Sequence, residues 1–278
     1  MKKLLCTAFA LGMFGMLCAQ RLSLDLQAGV ANYNGDLQEK RFSFKGAKPL
    51  IGLGLSYRIS PHFTVRGLGS WMQLAGSDKN NSTLTAERNL SFESRVLEAQ
   101  LAVEYNIFDI SEKGFTPYVF AGIAGFHFNP YAHDSSGNKV YLRPLGTEGQ
   151  GLAAYPEKEI YKNKQFAIPF GAGVKLALTD RLQLGLEVGL RKLFTDYLDD
   201  VSGTYADSAT LFAGRGPQAV AFAYRAGELH AGSIYPSEGT LRGNPDVKDW
   251  YYTTTFRVSY SFGGNGRNKG LGCPVNVF

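Results

Sequence analysis

Few side chains in this sequence are placed to do chemistry. The histidines His62, His127, His133 and His230 are dispersed, and no two have the spacing of ligands to one metal ion. His127 falls on the interior face of its strand in the alternation described below. With no serine or acid partner in its pattern, it reads as a hydrogen-bonded histidine rather than a general base. Asp196, Asp199 and Asp200 crowd into Phe194-Thr195-Asp196-Tyr197-Leu198-Asp199-Asp200. Oxygen-rich loops hold calcium, but this spacing fits no EF-hand, so an acidic turn, solvated or capping its own loop, is expected. Asp207-Ser208-Ala209 resembles an acceptor triplet for periplasmic O-glycosylation, a pattern common by chance. The chain has no GxGxxG, GxxxxGK, HExxH or GxSxG motif. The sequence therefore predicts no catalytic residue, no cofactor and no metal.

What stands out instead is a set of charges at alternate positions inside apolar runs. Glu98, Glu104, Glu187 and Arg257, with Arg58 and Lys175, each lie between hydrophobic neighbours two residues apart, and Arg191 follows in phase after Leu190. A period of two puts such charges on one face of a strand and the hydrophobic residues on the other. Eight runs show the pattern. Their apolar sets begin at Leu22, Ile51, Phe63, Leu97, Tyr118, Phe166, Leu182 and Trp250. Short turns join the second run to the third (Ser60-Pro61-His62), the fourth to the fifth (109–114) and the sixth to the seventh (Thr179-Asp180-Arg181). Long segments near 33–48, 75–89, 131–163 and 192–249 make the other connections.

An even number of strands near ten residues long, with long loops at one end and short turns at the other, is the pattern of an outer-membrane barrel. The expected fold is therefore all-β: an eight-stranded antiparallel transmembrane β-barrel with long extracellular loops and short periplasmic turns. Alternation alone also fits a soluble sandwich or lipocalin-like barrel. The even count, the loop asymmetry and Phe262 at the end of the last strand favour the membrane. The lipid-facing set would then be the Leu, Val, Ile, Phe and Ala residues. Trp71, Tyr105, Trp250, Tyr251, Tyr260 and Phe262 would form aromatic girdles. Glu98, Glu104, Glu187, Arg191 and Arg257 would form a paired polar network in the lumen, because buried charges are tolerated only when paired.

Residues 1–20 carry Lys2-Lys3, an apolar stretch from Leu4 to Leu17, and Cys18-Ala19-Gln20, the layout of a secretory signal cleaved after 19 or 20. The barrel is expected over 21–262 and a flexible periplasmic tail over 263–278. Of the three cysteines, Cys6 and Cys18 lie in the signal, which leaves Cys273 in the tail and no internal disulfide framework. The formal charge is +5, or 5 − 2 = +3 without the two leader lysines, and the basic residues are scattered, which argues against nucleic acid as a partner. Aromatics at 13% and charged residues at only 19% exclude a disordered chain.

Several segments together resemble the PorG-like outer-membrane β-barrel family, which is associated with the type IX secretion (gliding) machinery. They include Asn32-Tyr33-Asn34-Gly35-Asp36-Leu37, Thr116-Pro117-Tyr118-Val119-Phe120-Ala121-Gly122, the run 144–151 (PLGTEGQG), 194–202 (FTDYLDDVS), Arg242-Gly243-Asn244-Pro245 and Asp249-Trp250-Tyr251-Tyr252. The resemblance runs from about 24 to 262 and implies no catalytic residue. It implies an outer-membrane component associated with a periplasmic ring of lipoprotein and partner subunits. Outer-membrane lipid is the other expected partner. In that setting Cys273, on its mobile arm, is the candidate for an intermolecular disulfide to a ring subunit. A narrow channel, an adhesin or a lipid-modifying enzyme are the other roles open to such a barrel.

Overall fold

A strand with one apolar face and one charged face needs a different environment on each side, and a sheet closed on itself provides both without leaving an edge. The computed structural model describes residues 21–38, 46–81 and 83–263. The leader expected over 1–20, nearly all of the tail expected over 263–278 and Cys273 lie outside these residues. Among the described residues ten strands follow one another: β1 (Leu22–Asn34), β2 (Lys48–Arg58), β3 (Phe63–Ser77), β4 (Ser91–Asn106), β5 (Phe115–His127), β6 (Pro130–His133), β7 (Lys139–Tyr141), β8 (Lys164–Ala177), β9 (Leu182–Leu193) and β10 (Trp250–Ser261). Eight of them pair antiparallel in the order β1-β2-β3-β4-β5-β8-β9-β10. The last strand returns to the first, with Ser23 opposite Ser261 and Asn34 opposite Trp250, and the barrel is closed. The small hairpin β6–β7 adds to the upper end of β4 at Glu93 and Ser94.

Each short turn is fixed locally. Between β4 and β5 a single helical turn, Ile110–Lys113, is capped by Asp109, whose side chain accepts from the Ser111 N–H at 2.8 Å. It ends at Gly114 with φ +77°, a left-handed residue that only glycine adopts cheaply. Between β2 and β3 the Ile59 N–H donates to the Phe63 carbonyl at 2.9 Å, and between β8 and β9 the Leu178 N–H donates to Leu182 at 2.9 Å.

The outward run from Phe166 to Leu176 on β8 covers ten residue steps. At a rise of about 3.3 Å and a tilt of about 40°, that is roughly 25 Å along the axis, the height of the apolar band of an outer-membrane barrel. Leu26, Ile51, Leu53, Leu97, Leu101, Ile123, Val174 and Phe256 are among the large hydrophobics left on the outside. In water such a patch would be a liability; in lipid it is the ordinary surface.

One strand face departs from the sequence expectation. On β5, Tyr118, Phe120, Ala124 and Phe126 point into the barrel and Val119, Ala121, Ile123 and His127 point out. The expectation of an outward Tyr118–Phe126 set and an interior His127 is therefore inverted. The physical reason is cation–π packing. The Arg66 guanidinium lies 4.3 Å from the Phe120 ring centroid, and Lys175 and Arg257 lie 4.4 and 5.1 Å from that of Tyr118. Tyr251 is also no girdle residue: it is wholly buried and its hydroxyl donates to Glu98. Tyr105, Tyr260 and Phe262 remain outside.

Candidate functional site

The interior is built from one strand position at a time. Parity brings Arg66 from β3, Glu104 from β4, Tyr118 from β5, Lys175 from β8, Glu187 from β9 and Arg257 from β10 to one level. Arg66 joins the two carboxylates: Nη1 donates to Glu104 Oε1 at 2.8 Å and to Glu187 Oε2 at 2.5 Å, and Nη2 to Glu187 Oε1 at 2.9 Å. Arg257 Nη1 donates to Glu104 Oε1 at 2.5 Å, and Lys175 Nζ donates to Glu104 Oε2. Tyr118 donates its hydroxyl to Glu187 at 2.6 Å. Arg66, Glu104, Glu187 and Arg257 are all buried. Charge-assisted bonds of this length in a water-poor interior are the strong kind.

A second pair closes the barrel above them. Arg191 Nη2 donates to Glu98 Oε1 at 3.2 Å and Nη1 to the Thr253 hydroxyl at 2.6 Å, while Tyr251 donates to Glu98. Gly189 makes room for this guanidinium; a Cβ there would lie 2.5 Å from Arg191 Nη1. Nearer the short turns, Asp25 accepts from the hydroxyls of Ser56 and Ser259, and Arg58 donates to the Ser111 hydroxyl at 3.2 Å. The sequence reading of the interior omitted Arg66, Tyr118 and Tyr251. Arg66 was reachable by parity, since Phe63, Val65 and Trp71 fix the outward face of β3. The glycines Gly67 and Gly69 on that face blur the alternation.

Above the barrel the long connections fold into a dome whose core runs on into the top of the barrel interior at Tyr33, Phe126 and Tyr251. Phe128, Tyr161 and Tyr197 stack, with centroids 6.1 and 4.9 Å apart, over Leu198, Val201, Leu211 and Phe222. Glu148, from the turn-rich run 144–151, is fully buried and accepts from the N–H groups of Ser202 and Gly203 at 2.9 and 3.0 Å, the Tyr197 hydroxyl at 3.1 Å and Arg242 Nη1 at 3.0 Å. Arg242 also donates to the carbonyls of Asp200 and Ala223, at 2.6 and 3.1 Å. The Asp196-Asp199-Asp200 cluster is an internal staple: Asp196 accepts from Ser202, Asp199 from Tyr33, and Asp200 from Thr147 and Tyr161. Burial raises the Asp200 carboxyl to about 6 against the lowering effect of Arg242, and burial also raises Asp196 to about 6. Burial holds Asp199 and Asp249 well above the ordinary carboxylate range, with the Asp36 charge adding to the first and Asp199 to the second.

No cluster of His, Cys, Asp and Glu among the described residues has the geometry of a metal site. Nor, among the described residues, does any histidine ring hydrogen-bond a serine hydroxyl or a carboxylate; the His62 ring bonds the Asn106 carbonyl at 2.9 Å. The paired side chains cross the barrel from β3 to β9.

Residues 7–215 match the sequence profile of a family described as outer membrane protein beta-barrel domain. The chain belongs to that family. As an outer-membrane β-barrel domain, this protein places its long loops outside the cell and its short turns in the periplasm. No protein of curated function matches the sequence. Among solved structures, the Neisserial surface protein A is 8% identical with a TM-score of 0.42, covering 86% of this chain and 96% of that one. A major outer membrane protein of Thermus thermophilus is 11% identical with a TM-score of 0.41, covering 86% and 98%. The outer membrane enzyme PagL is 14% identical with a TM-score of 0.35, covering 85% and 98%.

Proposed function

We propose that this outer-membrane barrel is a non-enzymatic component of a type IX secretion (gliding) machinery, a rigid membrane anchor for a periplasmic ring of lipoprotein and partner subunits. The observation that carries the reading is the occluded interior: the Arg66–Glu104–Glu187–Arg257 network spans the lumen and the dome covers its outer mouth. A small barrel filled by side chains offers surfaces rather than a passage. The resemblance of 144–151, 194–202 and 249–252 to the PorG-like family supplies the machinery, and Cys273 is the residue proposed to reach a ring subunit. The test is affinity purification from thiol-blocked, detergent-solubilised outer membrane, with non-reducing gels. A ring lipoprotein should copurify, in part as a reductant-sensitive adduct lost in Cys273→Ser. Copurification without the adduct removes the disulfide and keeps the anchor; absence of any ring subunit refutes the anchor. A steady single-channel conductance in planar bilayers would replace it with a pore.

A further inference from the structure

The lipid-facing wall is not uniform. Along the barrel strands β1, β2, β3, β4, β5 and β8, a groove of about 910 Å³ runs across the outside near the extracellular end. Its floor is made by small outward residues, Gly69, Ala99 and Gly125, and its walls by Trp71, Leu97 and Phe166. A Cβ built on Gly125 meets nothing within 4 Å, and one on Gly69 meets only the Leu53 carbonyl at 3.8 Å. These glycines therefore serve no close packing of the sheet; they leave a recess. Bulk acyl chains wet any apolar wall, but a recess bounded by bulky side chains holds one chain in preference to its neighbours.

The charged side chains nearest the upper edge of this recess, Arg95 and Lys164, are both basic. His127 stands opposite Leu97 on β4 and opposite Lys164 on β8, and all three point outward. Arg95 is the next outward residue above Leu97 and is exposed, as is Lys164. The nearby outward carboxylate, Glu93, is engaged by Lys48 at 3.3 Å, Gln73 at 2.6 Å and the Tyr131 hydroxyl at 3.0 Å. Lys164 sits one outward position above the apolar run Phe166–Leu176. The basic edge thus lies at the level where acyl chains end and headgroups begin, in the outer leaflet. An apolar recess beneath a basic edge is complementary to a lipid with several chains and an anionic head. In the outer leaflet of an outer membrane, that chemistry is a phosphorylated, multiply acylated glucosamine glycolipid.

We propose that this groove is a specific site for one such glycolipid of the lipid A class, with acyl chains over Gly69, Ala99 and Gly125 and phosphate held by Arg95, His127 and Lys164. The chain has two tryptophans, so Trp250→Phe leaves Trp71, in the groove wall, as the only one. The full chain carrying that change is refolded into vesicles of dibrominated phosphatidylcholine, whose bromines quench tryptophan, and unbrominated bisphosphorylated lipid A is titrated in. Two basic residues facing an anionic headgroup should favour it about tenfold or more over phosphatidylcholine. Trp71 fluorescence should therefore recover well ahead of the lipid A mole fraction. Arg95→Gln with Lys164→Gln, and separately Gly125→Leu, should bring recovery back to the mole fraction while heat-modifiable migration on gels stays intact. Recovery that follows mole fraction in the unmutated groove overturns the proposal. So does equal recovery with phosphatidylglycerol, which would reduce the edge to a general attraction for anions, a comparison that needs no groove variant to fold.

Discussion

Removing Glu104 should be the most damaging single change in the lumen. Its carboxylate receives Arg66, Arg257 and Lys175, so Glu104→Ala leaves Arg66 and Arg257 to share Glu187 and leaves Lys175 with the Asn106 side-chain oxygen. Arg66 Nε and Arg257 Nε and Nη2 already lack partners, and the unpartnered interior oxygens beside them, Ser70 Oγ and Thr255 Oγ1, are neutral hydroxyls that cannot replace a carboxylate. Breaking a buried ion pair from one side costs about 3–5 kcal/mol. At about 1.4 kcal/mol per decade, that is a loss of roughly two to four decades in the folding equilibrium. Glu187→Ala, which frees Arg66 and Tyr118, should fall in the same range, and Glu157→Ala, on an exposed loop, should be within about 0.5 kcal/mol of the unmutated protein. The assay is urea unfolding in lipid vesicles, followed by tryptophan fluorescence and by the temperature at which the folded band disappears from gels. A second variant guards against simple loss of packing: Glu104→Gln keeps the shape and removes the charge, and should recover only a minor part of the loss. If Glu104→Ala, Glu104→Gln and Glu157→Ala unfold together, the cations are not held by Glu104 and the account of the interior is wrong.

The dome gives a second expectation: Glu148→Ala should open segment 194–249 to limited proteolysis while the barrel keeps its heat-modifiable migration, because Arg242 and the Ser202 and Gly203 amides lose their acceptor outside the membrane. A third concerns pH. Asp196 and Asp200, each at about 6 when folded, bind protons more tightly than in the unfolded chain. Their charged forms oppose folding at neutral pH, and the dome should become more protease-resistant as pH falls through about 6 towards 4; greater resistance at pH 7.5 than at pH 5 would contradict this. A fourth separates the two faces of β5: Gly122→Val should abolish folding, since a Cβ there meets the Leu101 carbonyl at 2.2 Å, whereas Gly125→Val should fold normally, as judged by yield of the heat-modifiable form.

The closed eight-stranded sheet was legible in the sequence because lipid outside and charge inside both reinforce a period of two. Leu97 to Tyr105 and Phe166 to Leu176 read cleanly for that reason. β5 misled because its lumen side carries aromatics, Tyr118, Phe120 and Phe126, while its lipid side mixes Val119 and Ile123 with Ala121, Gly125 and His127. Hydrophobicity alone ranks those faces the wrong way round, and only the cations contributed by β3, β8 and β10 explain the choice. Registration against β4, whose faces are unambiguous, would have corrected it. Within the interior, the acidic members and the Arg191 and Arg257 partners follow from parity, but which pairs with which does not: Arg66 and Glu187 are 121 residues apart. The dome was least legible. The bond from Arg242 to Glu148 crosses 94 positions and joins two segments that read, separately, only as stiff turns.

The seam between β1 and β10 sets the order in which this molecule can be made. Ser23 shares a 2.8 Å hydroxyl contact with Ser261, so the first strand of the barrel waits for the last before either has both neighbours. Until residue 261 arrives, a partial sheet would present two raw edges to hydrocarbon and leave Glu104 without Arg257, the partner that β10 supplies. Chains that stall or are clipped short of β10 should remain in the periplasm as substrates for holding factors and proteases, and a truncated barrel should not accumulate in the membrane.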